Sequence, residues 1–198
     1  MIRPPKTPPT FTGPRPDTNQ SGYVARTDST MVQAPVEALI SWMHSNPLED
    51  WEIDAASVPR IVRTEPLKGT WDPSQSWVGA RRRVVLENGH YAAEEIVADS
   101  NHQFKYVVWG TTNYASLLID HAVGEFTFRD LGDQTLVNWT YSFMPRSFLT
   151  RLPVVWFVRF IWSGFMTSGL SIMQENGPRI ITADVPHDAD ASLVGNLT

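Results

Sequence analysis

Charged side chains within apolar, strand-like segments are the residues of this sequence best suited to do chemistry. Arg82 and Glu95 flank the Asn-Gly dipeptide at 88–89, which favours a two-residue hairpin turn and so places them directly opposite each other on the apolar face. They form either a structural ion pair at the sheet margin or a polar pair lining a cavity, because a dry burial without a ligand carries a large desolvation cost. A register shift of one residue would substitute Arg83 and Glu94.

Two further charged residues lie among apolar neighbours. Asp120 shares the apolar face of a predicted strand, so it is either hydrogen-bonded near the strand end or an acid or base whose pKa a pocket shifts. Arg159 lies within a long apolar segment, where its stem either packs while the guanidinium reaches water, or it acts as counter-ion to Asp120, Glu95 or an acidic ligand. Arg82, Glu95 and Asp120 are the candidate catalytic residues if the protein is an enzyme.

Further candidate ligand-binding residues follow from the alternation of side chains along the predicted strands and from a helical wheel of the C-terminal segment. Inward positions of the strands and one arc of that helix should line the same interior. Besides Arg82, Glu95, Asp120 and Arg159, the predicted set comprises Tyr91, Tyr106, Trp139, Tyr141, Trp162, Met166 and Leu170.

Several kinds of chemistry find no support in the sequence. It has no cysteine, and its five histidines show no paired spacing, so we expect neither a metal site nor a cofactor. It shows no phosphate-binding loop, nucleophile elbow or dinucleotide motif. The net charge of −5 argues against nucleic acid as a partner. The N-terminus has no apolar core of a secretory signal, so we expect a cytoplasmic protein.

The elements that must position these residues form one block. Six prolines among the first sixteen residues predict an extended or disordered arm over residues 1–22. Residues 23–181 predict a single domain in which a strand, a helix, an antiparallel meander of strands and a long final helix follow one another. Residues 182–198 predict a flexible tail.

The final helix raises the question of a membrane. The segment Leu149–Gln174 contains two arginines and no acid; its first half is apolar all round, and its second half is amphipathic. A spanning helix needs about 20 apolar residues, but Arg159 and a cluster of small residues interrupt this one. We therefore expect it to close a domain. Its leftover apolar surface near Trp156 and Phe160 needs a cover, which is the N-terminal arm, a partner subunit or a membrane surface.

Several short motifs follow one another between Ser29 and Met173: Ala34-Pro35 before a helix, Gly79-x-x-Arg82, Asn88-Gly89 followed by Glu94-Glu95, Trp139-x-x-x-Phe143, and Gly169-Leu170. Their order and spacing resemble the SRPBCC superfamily, which includes START domains, birch-pollen-allergen-like proteins and polyketide cyclase/dehydrase-like proteins. The resemblance implies an α+β helix-grip fold, in which a curved seven-stranded antiparallel sheet wraps around a long C-terminal helix with a hydrophobic cavity between them.

Such a fold does not determine one function. We expect either a binder of a hydrophobic small molecule, such as a lipid, a polyketide or an aromatic compound, or a cofactor-free enzyme of the cyclase/dehydratase type. A weaker third class is a protein-interaction module that uses the exposed helix face. Peripheral membrane contact or a homodimer through the first half of the C-terminal helix is compatible with all three.

Overall fold

The computed structural model describes residues 2–55 and 57–183, and, of these, the side chains of residues 2–180. Seven strands form one antiparallel sheet in the order β1-β7-β6-β5-β4-β3-β2. Their bounds are β1 Val24–Val32, β2 Ile61–Lys68, β3 Arg81–Leu86, β4 Tyr91–Ser100, β5 Gln103–Trp109, β6 Ile119–Asp130 and β7 Thr135–Pro145. The seven-stranded antiparallel sheet that the family resemblance implied is therefore confirmed.

The helices occupy the gap between the first two strands and the C-terminal end of the described chain. Helix α1 spans Val36–Ser45 after Pro35, whose fixed backbone angle suits a helix start. Short 3₁₀ turns lie at Leu48–Trp51, Tyr114–Leu117 and Phe148–Thr150. The C-terminal helix runs through α2, Arg151–Phe157, a π-helical turn, Val158–Trp162, and α3, Ser163–Ala183. The predicted flexible tail lies outside the described residues from position 184 onward.

The second half of the C-terminal helix is part of the core. Met166, Leu170 and Met173 are buried, as the amphipathic pattern predicts. Gly169 permits a close approach to the sheet, because a Cβ atom there would lie 2.9 Å from the Trp139 ring. The whole helix from Phe148 to Ile180 is long and apolar enough to cross a membrane by length and composition alone. To cross a membrane, however, α3 would have to leave the sheet, and Met166, Leu170 and Met173 would lose their packing in the core.

The β3–β4 hairpin differs from its prediction by one residue. The Leu86 N–H donates to the carbonyl oxygen of His90, and the Gly89 N–H donates to the carbonyl oxygen of Leu86, around a three-residue loop whose final residue, Gly89, has φ +79°. In such a loop, a residue at positive φ follows the turn and forms a β-bulge. The expected two-residue turn is not formed. Arg82 therefore pairs with Glu94, and Glu95 pairs with Arg81, so the predicted Arg82–Glu95 pair is wrong.

The N-terminal arm lies on the convex face of the sheet, opposite the C-terminal helix. Residues 2–23 form no helix or strand, and they are tied down by arginines of β3. The Arg81 Nη1 group donates to the carbonyl oxygen of Gly13 at 2.7 Å, and that of Arg83 donates to the carbonyl oxygen of Pro9 at 2.7 Å. Arg15 of the arm in turn contacts Glu95 at 3.2 Å. The arm therefore covers the sheet, and the first half of the C-terminal helix stays exposed.

Candidate ligand-binding cavity

A cavity of about 440 Å³ lies between the concave face of the sheet, helix α1 and the C-terminal helix. Its size falls within the usual range for small-molecule sites. About a third of the described residues in its wall are aromatic, with side chains contributed by the sheet, by the turn after α1, by the loop before β3, by the turn before β6 and by the C-terminal helix. These aromatic residues are Trp51, Trp77, Phe104, Tyr106, Trp109, Tyr114, Phe126, Trp139, Tyr141, Phe143, Phe157, Trp162 and Phe165.

The most deeply buried charges of the cavity wall are Arg82 and Glu94. Their side chains are 12% and 5% exposed, and two guanidinium nitrogens approach Glu94 Oε1 at 2.7 and 2.6 Å. The Arg82 guanidinium also lies over the Trp71 ring, 4.8 Å from its centroid, which adds a cation–π contact. The pair is thus compensated without a ligand, while both side chains still line the cavity.

Two tyrosine hydroxyls accompany this ion pair. Tyr106 and Tyr141 lie on β5 and β7, with their rings edge to face at 5.9 Å. Gly124 of β6 makes room for the Tyr106 ring, because a Cβ atom at that position would lie 2.2 Å from the ring. Burial, reinforced by the negative charge of Glu94, raises the pKa of both phenols. Both hydroxyls therefore remain protonated at neutral pH.

The indole of Trp162 adds a donor without a partner. Its Nε1 atom is buried and has no hydrogen-bond partner among the described residues. Buried N–H groups are nearly always paired, and this indole lies in the cavity wall. A ligand with an oxygen acceptor would satisfy it.

Asp120 lies where the cavity reaches the surface. Its side chain is 50% exposed, and its Oδ2 atom lies 2.9 Å from Nδ1 of the buried His121. The other ring nitrogen of His121 lies 2.6 Å from the hydroxyl of Tyr23. A β-bulge between Ile119 and His121 brings both Asp120 and His121 to the cavity wall. Asp120 is therefore paired with a neighbouring histidine and not with Arg159.

The remaining sequence-predicted residues divide into those at the cavity and those away from it. Trp139 and Trp162 line it together with the two tyrosines. Met166 and Leu170 are buried in the core but do not belong to its wall. Whether the lining residues bind a ligand stays a prediction.

Three of the predicted inward positions are wrong. Glu95 lies on the convex face in a 2.7 Å ion pair with Arg81. Tyr91 shares that face, with the Arg83 guanidinium over its ring. Both errors follow from the register of the hairpin, since a shift of one residue exchanges the faces of a strand. Arg159 is exposed, with its guanidinium 5.5 Å from the centroid of the Phe160 ring.

The comparisons with known proteins place this geometry in a structural class. Neither a protein-family model nor a curated protein matches the sequence. Among solved structures, an aromatase/cyclase from Streptomyces sp. R1128 superposes with a TM-score of 0.59 at 14% identity, over 81% of this chain and 96% of that one. Norcoclaurine synthase from Thalictrum flavum gives 0.57 at 14% identity, over 84% and 100%.

A third similar structure is the major latex-like protein 151 of Panax ginseng, with a TM-score of 0.56 at 15% identity, over 78% of this chain and 97% of that one. Identities this low speak for the fold alone. The chain has the helix-grip fold, as its resemblance to the SRPBCC superfamily implied. Within this fold, the chain has an aromatic cavity with an internal Arg82–Glu94 pair.

Proposed function

We propose that this protein binds a hydrophobic small molecule, with at least one aromatic ring and an oxygen acceptor, in the cavity between the sheet and the C-terminal helix. The observation that carries the proposal is an aromatic cavity of about 440 Å³ with a few polar groups in its wall. Apolar surface gives such a site its affinity, and a few fixed polar groups orient the ligand.

The polar groups suit a ligand that accepts hydrogen bonds. Tyr141 and the Trp162 indole each offer a donor, and Arg82 offers a cation that Glu94 already neutralises. A carbonyl or phenolic oxygen near these donors would gain several hydrogen bonds. A purely hydrocarbon ligand would leave the Trp162 donor unpaired, at a cost of about 1–3 kcal/mol.

A second candidate function is cofactor-free catalysis of the cyclase/dehydratase type. The observation in its favour is that Arg82 and Glu94 lie inside an apolar cavity, where a charged pair can stabilise developing charge on a folded substrate. Asp120, at the cavity mouth, is a weaker candidate for an acid or base. Solved structures of this fold include an enzyme described as an aromatase/cyclase, which supports the idea through the fold alone.

Binding is tested by displacement of the fluorescent dye 8-anilinonaphthalene-1-sulfonate by a panel of aromatic ketones, phenols and fatty acids. We expect aromatic ketones and phenols to compete at micromolar concentration, and Arg82→Met to weaken them about ten-fold. Arg60→Met is the matched control, because Arg60 forms an exposed ion pair with Glu87 outside the cavity. Competition by fatty acids alone, or equal effects of both variants, would contradict the proposed ligand class.

The partner surface that we propose is the first half of the C-terminal helix, and the partner is an anionic membrane surface. Phe148 and Phe160 are 84% and 61% exposed, and Trp156 is also exposed. Aromatic and apolar side chains of this kind insert at the boundary between headgroups and acyl chains. A membrane would cover this surface, which the N-terminal arm leaves exposed because it is bound to the opposite side of the sheet.

The charges beside the helix favour lipid over a second copy of the chain. Arg146, Arg151 and Arg159 are exposed, and the sequence from 146 to 174 contains no acidic residue. A two-fold contact through this surface would bring the arginines of both copies together without a compensating acid in it. Anionic headgroups compensate them instead, by about 1 kcal/mol for each cation near the membrane.

This partner is tested by sedimentation with phosphatidylcholine vesicles that contain or lack phosphatidylserine. We expect binding only to the anionic vesicles, lowered about ten-fold by the double variant Trp156→Ser/Phe160→Ser and by high salt. A double variant of exposed side chains outside the C-terminal helix, Val62→Ser/Val78→Ser, should leave binding unchanged. A dimer in sedimentation equilibrium that the helix variant dissociates, without vesicle binding, would overturn the proposal.

A further inference from the structure

A buried histidine–carboxylate pair lies beside the cavity and has no part in the proposed function. His44, at the end of α1, approaches Asp99 of β4 with Nε2 at 3.1 Å from Oδ1, and their side chains are 10% and 3% exposed. The second carboxylate oxygen, Oδ2, accepts a hydrogen bond of 2.7 Å from the backbone N–H of Trp77. Asp99 is thus held from two sides.

The hydrogen bonds define which nitrogen of His44 carries a proton. Burial alone would raise the pKa of Asp99, but the hydrogen bonds that it accepts from His44 and from the backbone of Trp77 oppose this effect, and the pKa is lowered. An ionised carboxylate only accepts hydrogen bonds, so Nε2 must be the donor. In the neutral imidazole Nδ1 then has a free lone pair. This Nδ1 atom has no hydrogen-bond partner in the part of the chain that the structure describes.

The ring of His44 is fixed at the wall of the cavity. It stacks on Trp77 with 4.3 Å between centroids and lies 6.2 Å from the ring of Phe104. All three rings line the cavity, so a ligand held there shares a wall with the imidazole. An imidazole whose Nε2–H is oriented by a carboxylate, with a free Nδ1, is the arrangement of a general base.

We propose that His44 is a general base for a molecule bound in the cavity and that Asp99 is its positioning residue. The Nδ1 lone pair takes a proton from an acidic C–H or O–H group, and the electron pair of that bond stays on the ligand or expels a leaving group. The imidazolium that forms is stabilised by the Asp99 carboxylate and returns its proton to the product or to water. This step rests on the proposed function, since the ligand must enter the same cavity.

The test uses 5-nitrobenzisoxazole, a flat aromatic probe that reacts by proton removal alone. A base takes the proton from its C–H group, the C–H electron pair completes a nitrile, and the ring N–O bond breaks to leave a coloured nitrophenolate. We expect the full chain to accelerate this reaction and His44→Gln to lower kcat by about 10²-fold, with KM unchanged. The glutamine amide can still donate to Asp99, so the variant retains the structural hydrogen bond.

Two further variants separate catalysis from folding. Asp99→Asn keeps His44 and the side-chain volume but removes the charge, so it should lower kcat and leave KM unchanged. Replacement of the exposed His102 by glutamine is the matched control and should leave both unchanged. If His44→Gln does not fold, Asp99→Asn alone tests the proposal. A cooperative thermal unfolding transition then shows that Asp99→Asn is folded.

The outcomes distinguish this inference from the proposed function. Equal rates for the native chain, His44→Gln and Asp99→Asn, together with normal binding of the dye 8-anilinonaphthalene-1-sulfonate, would overturn the base and leave the cavity as a binding site. If neither dye nor probe binds the native chain, the proposed function fails and the base fails with it.

Discussion

Glu94 and Glu95 are adjacent in sequence, and each is paired with an arginine, so they form an internal comparison for the candidate site. Glu94 faces the cavity and Glu95 faces the arm on the other side of the sheet. Substitution by glutamine keeps the shape of each side chain and removes its charge. The two variants should therefore lose stability by related mechanisms but differ in ligand binding.

The cost of Glu94→Gln follows from what remains around Arg82. Removal of one partner from a buried ion pair costs about 3–5 kcal/mol, because the other charge is left uncompensated. The amide oxygen of glutamine still accepts a hydrogen bond from the guanidinium, and the Trp71 ring still lies 4.8 Å from it. We therefore expect a loss near the lower limit, about 3 kcal/mol in the free energy of unfolding, measured by urea titration.

Glu95→Gln leaves Arg81 with the backbone carbonyl of Gly13 as an acceptor, and we expect a smaller loss of about 1–2 kcal/mol. Ligand affinity shows which of the two glutamates faces the cavity. Dye displacement should weaken at least about five-fold in Glu94→Gln and remain unchanged in Glu95→Gln. The opposite result, with affinity lost only in Glu95→Gln, would refute the register and the site together.

Further predictions concern the buried tyrosines and two glycines. Because burial raises the pKa of Tyr141 in the folded state, its contribution to stability is complete below the unfolded pKa of about 10 and declines as pH rises above it. Urea titrations between pH 8 and 11 should show this loss reduced in Tyr141→Phe but not in the exposed Tyr114→Phe. Gly169→Ala should cost about 1–3 kcal/mol by urea titration, because its Cβ would lie 2.9 Å from the Trp139 ring. Gly164→Ala, which meets nothing within 4 Å, should gain up to about 1 kcal/mol, and the reverse order of these two effects would contradict the packing of the helix.

The order of the elements and the aromatic wall of the cavity could be predicted from the sequence because both depend on local pattern. Alternation correctly placed Tyr106, Trp139 and Tyr141 on the concave face. Which face of β4 meets the cavity could not be inferred from the same pattern. Alternation defines two faces, but the length of the loop at Gly89 determines which of them meets the cavity.

The position of Arg159 was missed for a related reason. A helical wheel advances about 100° for each residue of a regular α-helix, and on that basis Arg159 shares an arc with Met166. The π-helical turn Val158–Trp162 adds a residue to one turn of the helix. The side chains that precede this turn are therefore rotated about the helix axis relative to Met166. The spacing of apolar residues in the sequence does not reveal such a π-helical turn. Nor does any local pattern bring His44 close to Asp99, which is 55 residues away.

The N-terminal arm also constrains the order in which the chain can fold on the ribosome. Its anchors lie far downstream, since Phe11 and Pro9 meet Arg81 and Arg83 at separations of 70 and 74 residues. β1 docks later still, because it lies at the edge of the sheet and pairs with β7. The segments synthesised first are therefore among the last to dock, and the emerging chain keeps both exposed to chaperones and proteases until the sheet is complete.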